Sequence, residues 1–233
     1  STLSLAALCA GLAATPLAAQ NVFTLDELVF SASLTDVARD RTGVRVSRLT
    51  ARDLANGGRL QFSELLETLA GVNVTQSGPI GTSATLRIRG LDSKYIPVRI
   101  NGIDVTDPSS TQTQFDFGKL TSSGIASAEV LYGSQSAILG SGAIGGAVNI
   151  TTVDAPDEIG SEIGYNLEIG SFETMRTGLT YGTRFERGFL AVSLSNTNTE
   201  GYSAADENAG NAEADGFEST DLSLRGEYQA TDT

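Results

Sequence analysis

Over its second half the chain alternates apolar and polar residues with a period of two. Ile163, Tyr165, Leu167 and Ile169 alternate with Glu162, Gly164, Asn166 and Glu168. Thr177, Leu179 and Tyr181 alternate with Arg176, Gly178, Thr180 and Gly182, and Leu190, Val192 and Leu194 with Ala191, Ser193 and Ser195. Leu222, Leu224 and Tyr228 alternate with Asp221, Ser223, Arg225 and Glu227. That period puts each set on its own face of an extended strand. Strands of about ten residues, apolar on one face and small or polar on the other, are the pattern of a transmembrane β-barrel wall. A β-sandwich alternates in the same way. Connections near 171–173 and 186–188 are short, whereas 200–219 is long and acidic. Barrels need at least about eight strands, so the pattern predicts a truncated wall with open sheet edges.

The first half has a different texture. Residues 44–47, 72–75, 84–89 and 128–132 read as strands. Residues 98–100 and 103–105 flank Asn101-Gly102, the strongest short-range hairpin signal in the chain. Thr50 and Asp53 form a capping box that opens a helical turn, which Gly57 and Gly58 stop. Ser63 is expected to cap a second helix, with Leu65, Leu66 and Leu69 on one face and Gly71 closing it. Residues 41–153 thus predict a small α+β domain, a mixed sheet of roughly four strands with two or three short helices.

Residues 125–152 organise this domain. A strand over 128–132 ends at Gly133, Ser134 caps a single helical turn over 135–139, and Gly140, Gly142, Gly145 and Gly146 precede the β-branched run 148–153. The run from Gly140 to Gly145 satisfies G-x-G-x-x-G. A dinucleotide site needs a strand before that motif and a helix after it, so that phosphate meets the helix N-terminus. Here a strand-like run follows, and the stretch has no phosphate-loop lysine.

Charge and composition narrow the function. The net charge of −13, with no basic stripe, excludes nucleic acid as a partner. The chain has no His and a single Cys, so no nucleophile–base pair or metal cluster is available and an enzyme reading has no chemistry to stand on. Residues 1–20, with an Ala- and Leu-rich run ending in small residues, are expected to be a clipped secretory leader that carries Cys9 away. No long apolar run follows, which excludes a helical membrane protein but not a barrel.

The run from Glu129 to Ala137 and that from Gly142 to Thr152 resemble the end of the plug domain of TonB-dependent outer-membrane receptors. Arg87-Ile88-Arg89-Gly90 and the segment from Val98 to Ile103 resemble two earlier plug signatures in the same order. The resemblance extends over about 26–229 and is nearest to the cobalamin transporters of that family. It implies a periplasmic segment over 21–40, a plug over 41–153, and the first antiparallel strands of the barrel over 160–233. The TonB box would be Asp26, Glu27, Leu28, Val29, Phe30, Ser31 and Ala32, which TonB, with its inner-membrane energising complex, would grasp by strand addition. Substrate would meet the plug loops through Gln76, Ser77, Ser83, Tyr95, Asp107, Ser109 and Thr111, and Arg89 would contact the barrel wall. The implied cargo is cobalamin, with a ferric siderophore as the alternative. Calcium, held by Glu213 and Asp215 in the acidic outer loop, is the one implied ion; no other cofactor is expected. The setting would be the outer membrane of a Gram-negative cell, with lipid around the barrel. A secreted β-rich binding or adhesion protein is the reading from a different class.

Overall fold

The computed structural model describes residues 43–109, 112–205, 210 and 213–231, and the backbone alone of 28–29 and 37–38. The expected leader lies outside the described residues, as do Asp26, Glu27, Phe30, Ser31, Ala32 and Thr111. Leu28–Val29 (β1) pairs antiparallel with Val37–Ala38 (β2) in a ladder separate from every other sheet.

The α+β domain is built on a five-stranded mixed sheet. Its strands are Val46–Leu49 (β3), Val98–Ile100 (β6), Ile103–Asp104 (β7), Ile125–Tyr132 (β8) and Gly146–Thr152 (β9), in the order β3-β8-β9-β6-β7. β9 runs parallel to β6, and every other neighbouring pair is antiparallel. Val72–Gln76 (β4) and Ala84–Ile88 (β5) form a second, two-stranded ladder. The domain therefore has seven strands rather than about four. All seven fall on or beside stretches that read as extended in the sequence, the two sheet edges being only four and two residues long.

Helices Ala51–Asn56 (α1) and Phe62–Glu67 (α2) cover one face of this sheet. Phe62, Leu66, Leu86, Ile88, Phe117, Val130, Val148 and Ile150 form the main core there. Leu131 points to the other face, where it packs with Val46 and Ala147. A strand buried on both sides reads as a continuous apolar run, which is why Val130, Leu131 and Tyr132 follow one another.

Two expected caps fall elsewhere. Ser63 lies inside α2, fully buried, and Gln61 is the N-cap. The helical turn after β8 is Ser136–Leu139 (α3), and its N-cap is Gln135, not Ser134. In both places the core sets the helix start, because Phe62 and the close approach of Ala143 to Gln135 outweigh a serine's local preference.

The capping box of α1 forms as expected. Asp53 Oδ2 accepts the Thr50 N–H at 2.9 Å and the Thr50 hydroxyl at 2.7 Å, which holds its carboxyl below the ordinary value of 3.8. A carboxylate depressed in the folded state stabilises above its unfolded value and loses that contribution as pH falls through the folded one. Thr50→Ala should therefore cost the domain about 1 kcal/mol at neutral pH. The deficit should shrink well below pH 3.8, as denaturation midpoints at the two pH values will show.

The second half is a four-stranded antiparallel meander. Gly160–Ile169 (β10), Met175–Phe185 (β11), Gly188–Thr199 (β12) and Phe217–Tyr228 (β13) pair in sequence order along almost their whole lengths. β10 and β13 are the edges of this sheet. Its outer face carries Ile163, Tyr165, Leu167, Ile169, Leu222 and Leu224, all more than 60% exposed. So large an apolar face on an antiparallel sheet needs a non-aqueous neighbour, and hydrocarbon is the one a wall strand meets. No described helix is long and apolar enough to cross a membrane.

The inner face of β12 reads Phe189, Ala191, Ser193, Ser195, Thr197 and Thr199, all buried against the α+β domain. Asp154 ties the linker to β13 through an ion pair with Arg225 at 2.6 Å. Arg184 donates to the Pro156 carbonyl, and both arginines lie over the Phe189 ring.

Candidate functional site

The loops between β4 and β5 and between β7 and β8 are tied to each other. Asp116 Oδ1 accepts the N–H groups of Ala84 (2.8 Å) and Gly118 (2.9 Å), and Gly81 N–H donates to the Gly118 carbonyl. Ser93 Oγ donates to Gln114 Oε1 at 2.8 Å, which draws in the short 3-10 turn Ser93–Tyr95. Gln76, Ser77, Ser83, Tyr95, Asp107 and Ser109 thus lie on three mutually braced loops.

Their side chains differ in availability. Gln76 is half-buried and donates to the Pro79 carbonyl at 2.9 Å, while Ser77 and Ser83 are exposed. Tyr95 is half-buried with the Lys94 ammonium 5.0 Å from its ring. Asp107 is exposed and accepts both the N–H (2.8 Å) and the hydroxyl (2.7 Å) of Ser109, which lowers its pKa.

The loop between β4 and β5 faces the wall. A cleft of about 290 Å³ opens there, lined by Gln76, Gly78, Pro79 and Ile80 on one side and by Phe172, Thr199 and Tyr202 on the other. Phe172 and Tyr202 come from the two connections at the same end of the wall, with ring centroids 5.4 Å apart. The Phe172 carbonyl accepts from Glu200 N–H and Thr199 Oγ1, which joins those connections. Both aromatics stand on turns that are visible in the sequence, but nothing local shows that the turns converge on Gln76.

Arg89 adopts φ +50° and is exposed, so it leaves the alternation of β5. Its guanidinium lies 4.8 Å from the Tyr132 ring centroid, with that of Arg45 at 5.3 Å. The arginine most deeply buried where the domain meets the described wall is Arg176, on the wall itself.

Glu213 and Asp215 are exposed in the connection between β12 and β13. Asp215 Oδ2 accepts the Ala204 N–H at 2.7 Å, and no group of three acidic side chains occurs among the described residues.

The G-x-G-x-x-G run follows α3 and precedes β9, the reverse of the order a dinucleotide site requires.

A mixed-sheet domain packed on the polar face of an antiparallel sheet whose other face is apolar is the arrangement of a plug against part of an outer-membrane barrel wall. The comparisons agree. The family described as "TonB-dependent Receptor Plug Domain" matches residues 38–147. The vitamin B12 transporter BtuB of Photobacterium profundum is 33% identical over 146 residues, covering 63% of this chain and 23% of the transporter. BtuB of Vibrio cholerae is 27% identical over 178 residues, covering 76% and 28%. The crystal structure of the siderophore receptor PirA from Acinetobacter baumannii superposes with a TM-score of 0.60 at 26% identity, covering 80% of this chain and 29% of PirA. The chain thus spans about a quarter of the length of these relatives.

Residues 38–147 thus match the plug of TonB-dependent receptors, and antiparallel strands follow, as in the receptors this chain resembles. The relatives it matches are described as transporters and receptors.

Proposed function

We propose that the complete protein imports cobalamin across the outer membrane, with the plug as gate and TonB as the source of force. The observation that carries this reading is a sequence likeness to vitamin B12 transporters that runs through the plug and into the wall. The braced loops suit such a cargo. Gln76, Ser77, Ser83, Tyr95, Asp107, Ser109 and Thr111 offer hydrogen bonds to a large polar molecule, and the Phe172–Tyr202 pair offers it an apolar face. TonB would add a strand along 26–32, where main-chain pairing supplies most of the affinity. Arg89, with Arg45 beside it on Tyr132, would meet the wall beyond the four strands described.

A ferric siderophore is the second reading, favoured by the likeness to PirA. The test expresses the complete reading frame in cells lacking their own cobalamin receptor and measures uptake of labelled cobalamin. Uptake that unlabelled cobalamin suppresses and a ferric chelate does not is the expected outcome. Rescue by the ferric chelate alone would establish the second reading, and rescue by neither would overturn both.

A further inference from the structure

We propose that Phe172 and Tyr202 form a preset clamp for one flat, uncharged ring of the cargo, the benzimidazole on the nucleotide arm of cobalamin, and so select cobalamin over anionic ferric chelates. The inference rests on the cargo reading above and deepens it. Phe172 and Glu173 are the central residues of the turn between β10 and β11, which Thr174 N–H closes by donating to the Ser171 carbonyl at 3.1 Å. Both have positive φ, +57° and +53°. Asn-Gly is the pair such a turn favours, as at 101–102, and a bulky residue there is an outlier. Burial does not offset the strain, because Phe172 is 56% exposed and Tyr202 49%. A large aromatic held in the open on a strained turn does nothing for the hairpin, and such strain collects where ligands are gripped.

The clamp is set before any ligand arrives. The Phe172 carbonyl accepts from Glu200 N–H at 2.9 Å and from Thr199 Oγ1 at 3.2 Å, which fixes the turn to the segment that carries Tyr202. The ring centroids are 5.4 Å apart and the planes tilt by 47°, so neither ring covers the other's face. Across the cleft, the plug loop comes up to the same connection. A Cβ on Gly78 would stand 3.3 Å from that of Ala204, and one on Gly81, at φ +93°, 2.8 Å from the Phe217 ring. Size and charge then name the occupant. The cleft of about 290 Å³ sits at the lower end of small-molecule sites, so it admits one arm of a large cargo and not the whole. Its lining among the described residues includes Leu60, Pro79 and Ile80, one carboxylate, Glu64, and no Lys or Arg. An anionic chelate arm would lose its water beside that carboxylate with no cation to offset the cost. An uncharged ring meets no such cost and packs on both aromatics. Cobalamin carries one such ring outside its corrin, and cobinamide is the same corrin without it.

The test measures equilibrium binding of labelled cobalamin and of cobinamide to the complete protein in outer-membrane vesicles, with a thermal scan of each variant. Phe172→Asn removes the ring and supplies a residue suited to positive φ, so the thermal midpoint should hold or rise while cobalamin affinity falls about tenfold. A purely structural role for Phe172 predicts the opposite pair of changes. Tyr202→Ala should weaken cobalamin in the same direction. Cobinamide should bind the parent about tenfold more weakly than cobalamin does, and neither substitution should change it. Should Phe172→Asn fail to assemble, Tyr202→Ala decides by the same comparison. Cobalamin affinity equal to the parent's in the variants that assemble, or an equal loss for both ligands, would overturn the clamp and leave the cargo reading standing. A parent that binds no cobalamin would overturn the cargo reading itself, and the clamp with it.

Discussion

Gly146→Val is expected to unfold the plug and leave the wall strands paired. Gly146 opens β9 at φ +143°, a conformation that side chains with a Cβ rarely adopt. A Cβ there would also be driven into the carbonyl oxygen of Leu131, on the paired strand β8. Neither strain can relax, because β8 and β9 are hydrogen-bonded at the centre of the sheet and packed on both faces. Together they should exceed about 4 kcal/mol, a large part of what a domain of this size has. Gly142 is the internal control, since it has an ordinary φ and no atom within 4 Å of its Cβ position. A calorimetric scan of the complete protein should show the plug transition lost in Gly146→Val and kept in Gly142→Ala. An unshifted plug transition in Gly146→Val would contradict the close-approach argument.

Deleting residues 26–32 is expected to abolish uptake while leaving cargo affinity unchanged. Among the described residues the buried core begins at Val46 and Leu49, and Leu28–Val29 pairs with Val37–Ala38. Strand addition to a partner relies on main-chain pairing, so point changes within the stretch should be milder than its removal. Equilibrium binding to whole cells and energised uptake, measured side by side, separate the two effects. Loss of both would place the segment in the fold rather than in coupling.

Local physics made some elements legible and hid others. The Asn101-Gly102 turn was readable because only residues tolerant of positive φ suit such a turn, and both adopt it, at +52° and +82°. The capping box of α1 was readable for a similar reason, since its donors and acceptors lie within four residues. The starts of α2 and α3 were not, because burial of Phe62 and the return of the chain at Ala143 decided them. The loop between β4 and β5 could be singled out as polar and exposed, but its partners Phe172 and Tyr202 lie more than ninety residues further on.

By itself the sequence determined the two-part organisation, the apolar stripe of the wall and the Asn101-Gly102 hairpin. Each follows from periodicities or turn chemistry that act over a few residues. Only the tertiary structure decided which side chains cross the seam. Arg176 looks in the sequence like one more lumen-facing residue of a strand, and Ser122 like one more loop serine. They meet because the plug sheet lies against β11 and β12. Such a contact depends on how two sheets pack, and no pattern along either segment encodes it.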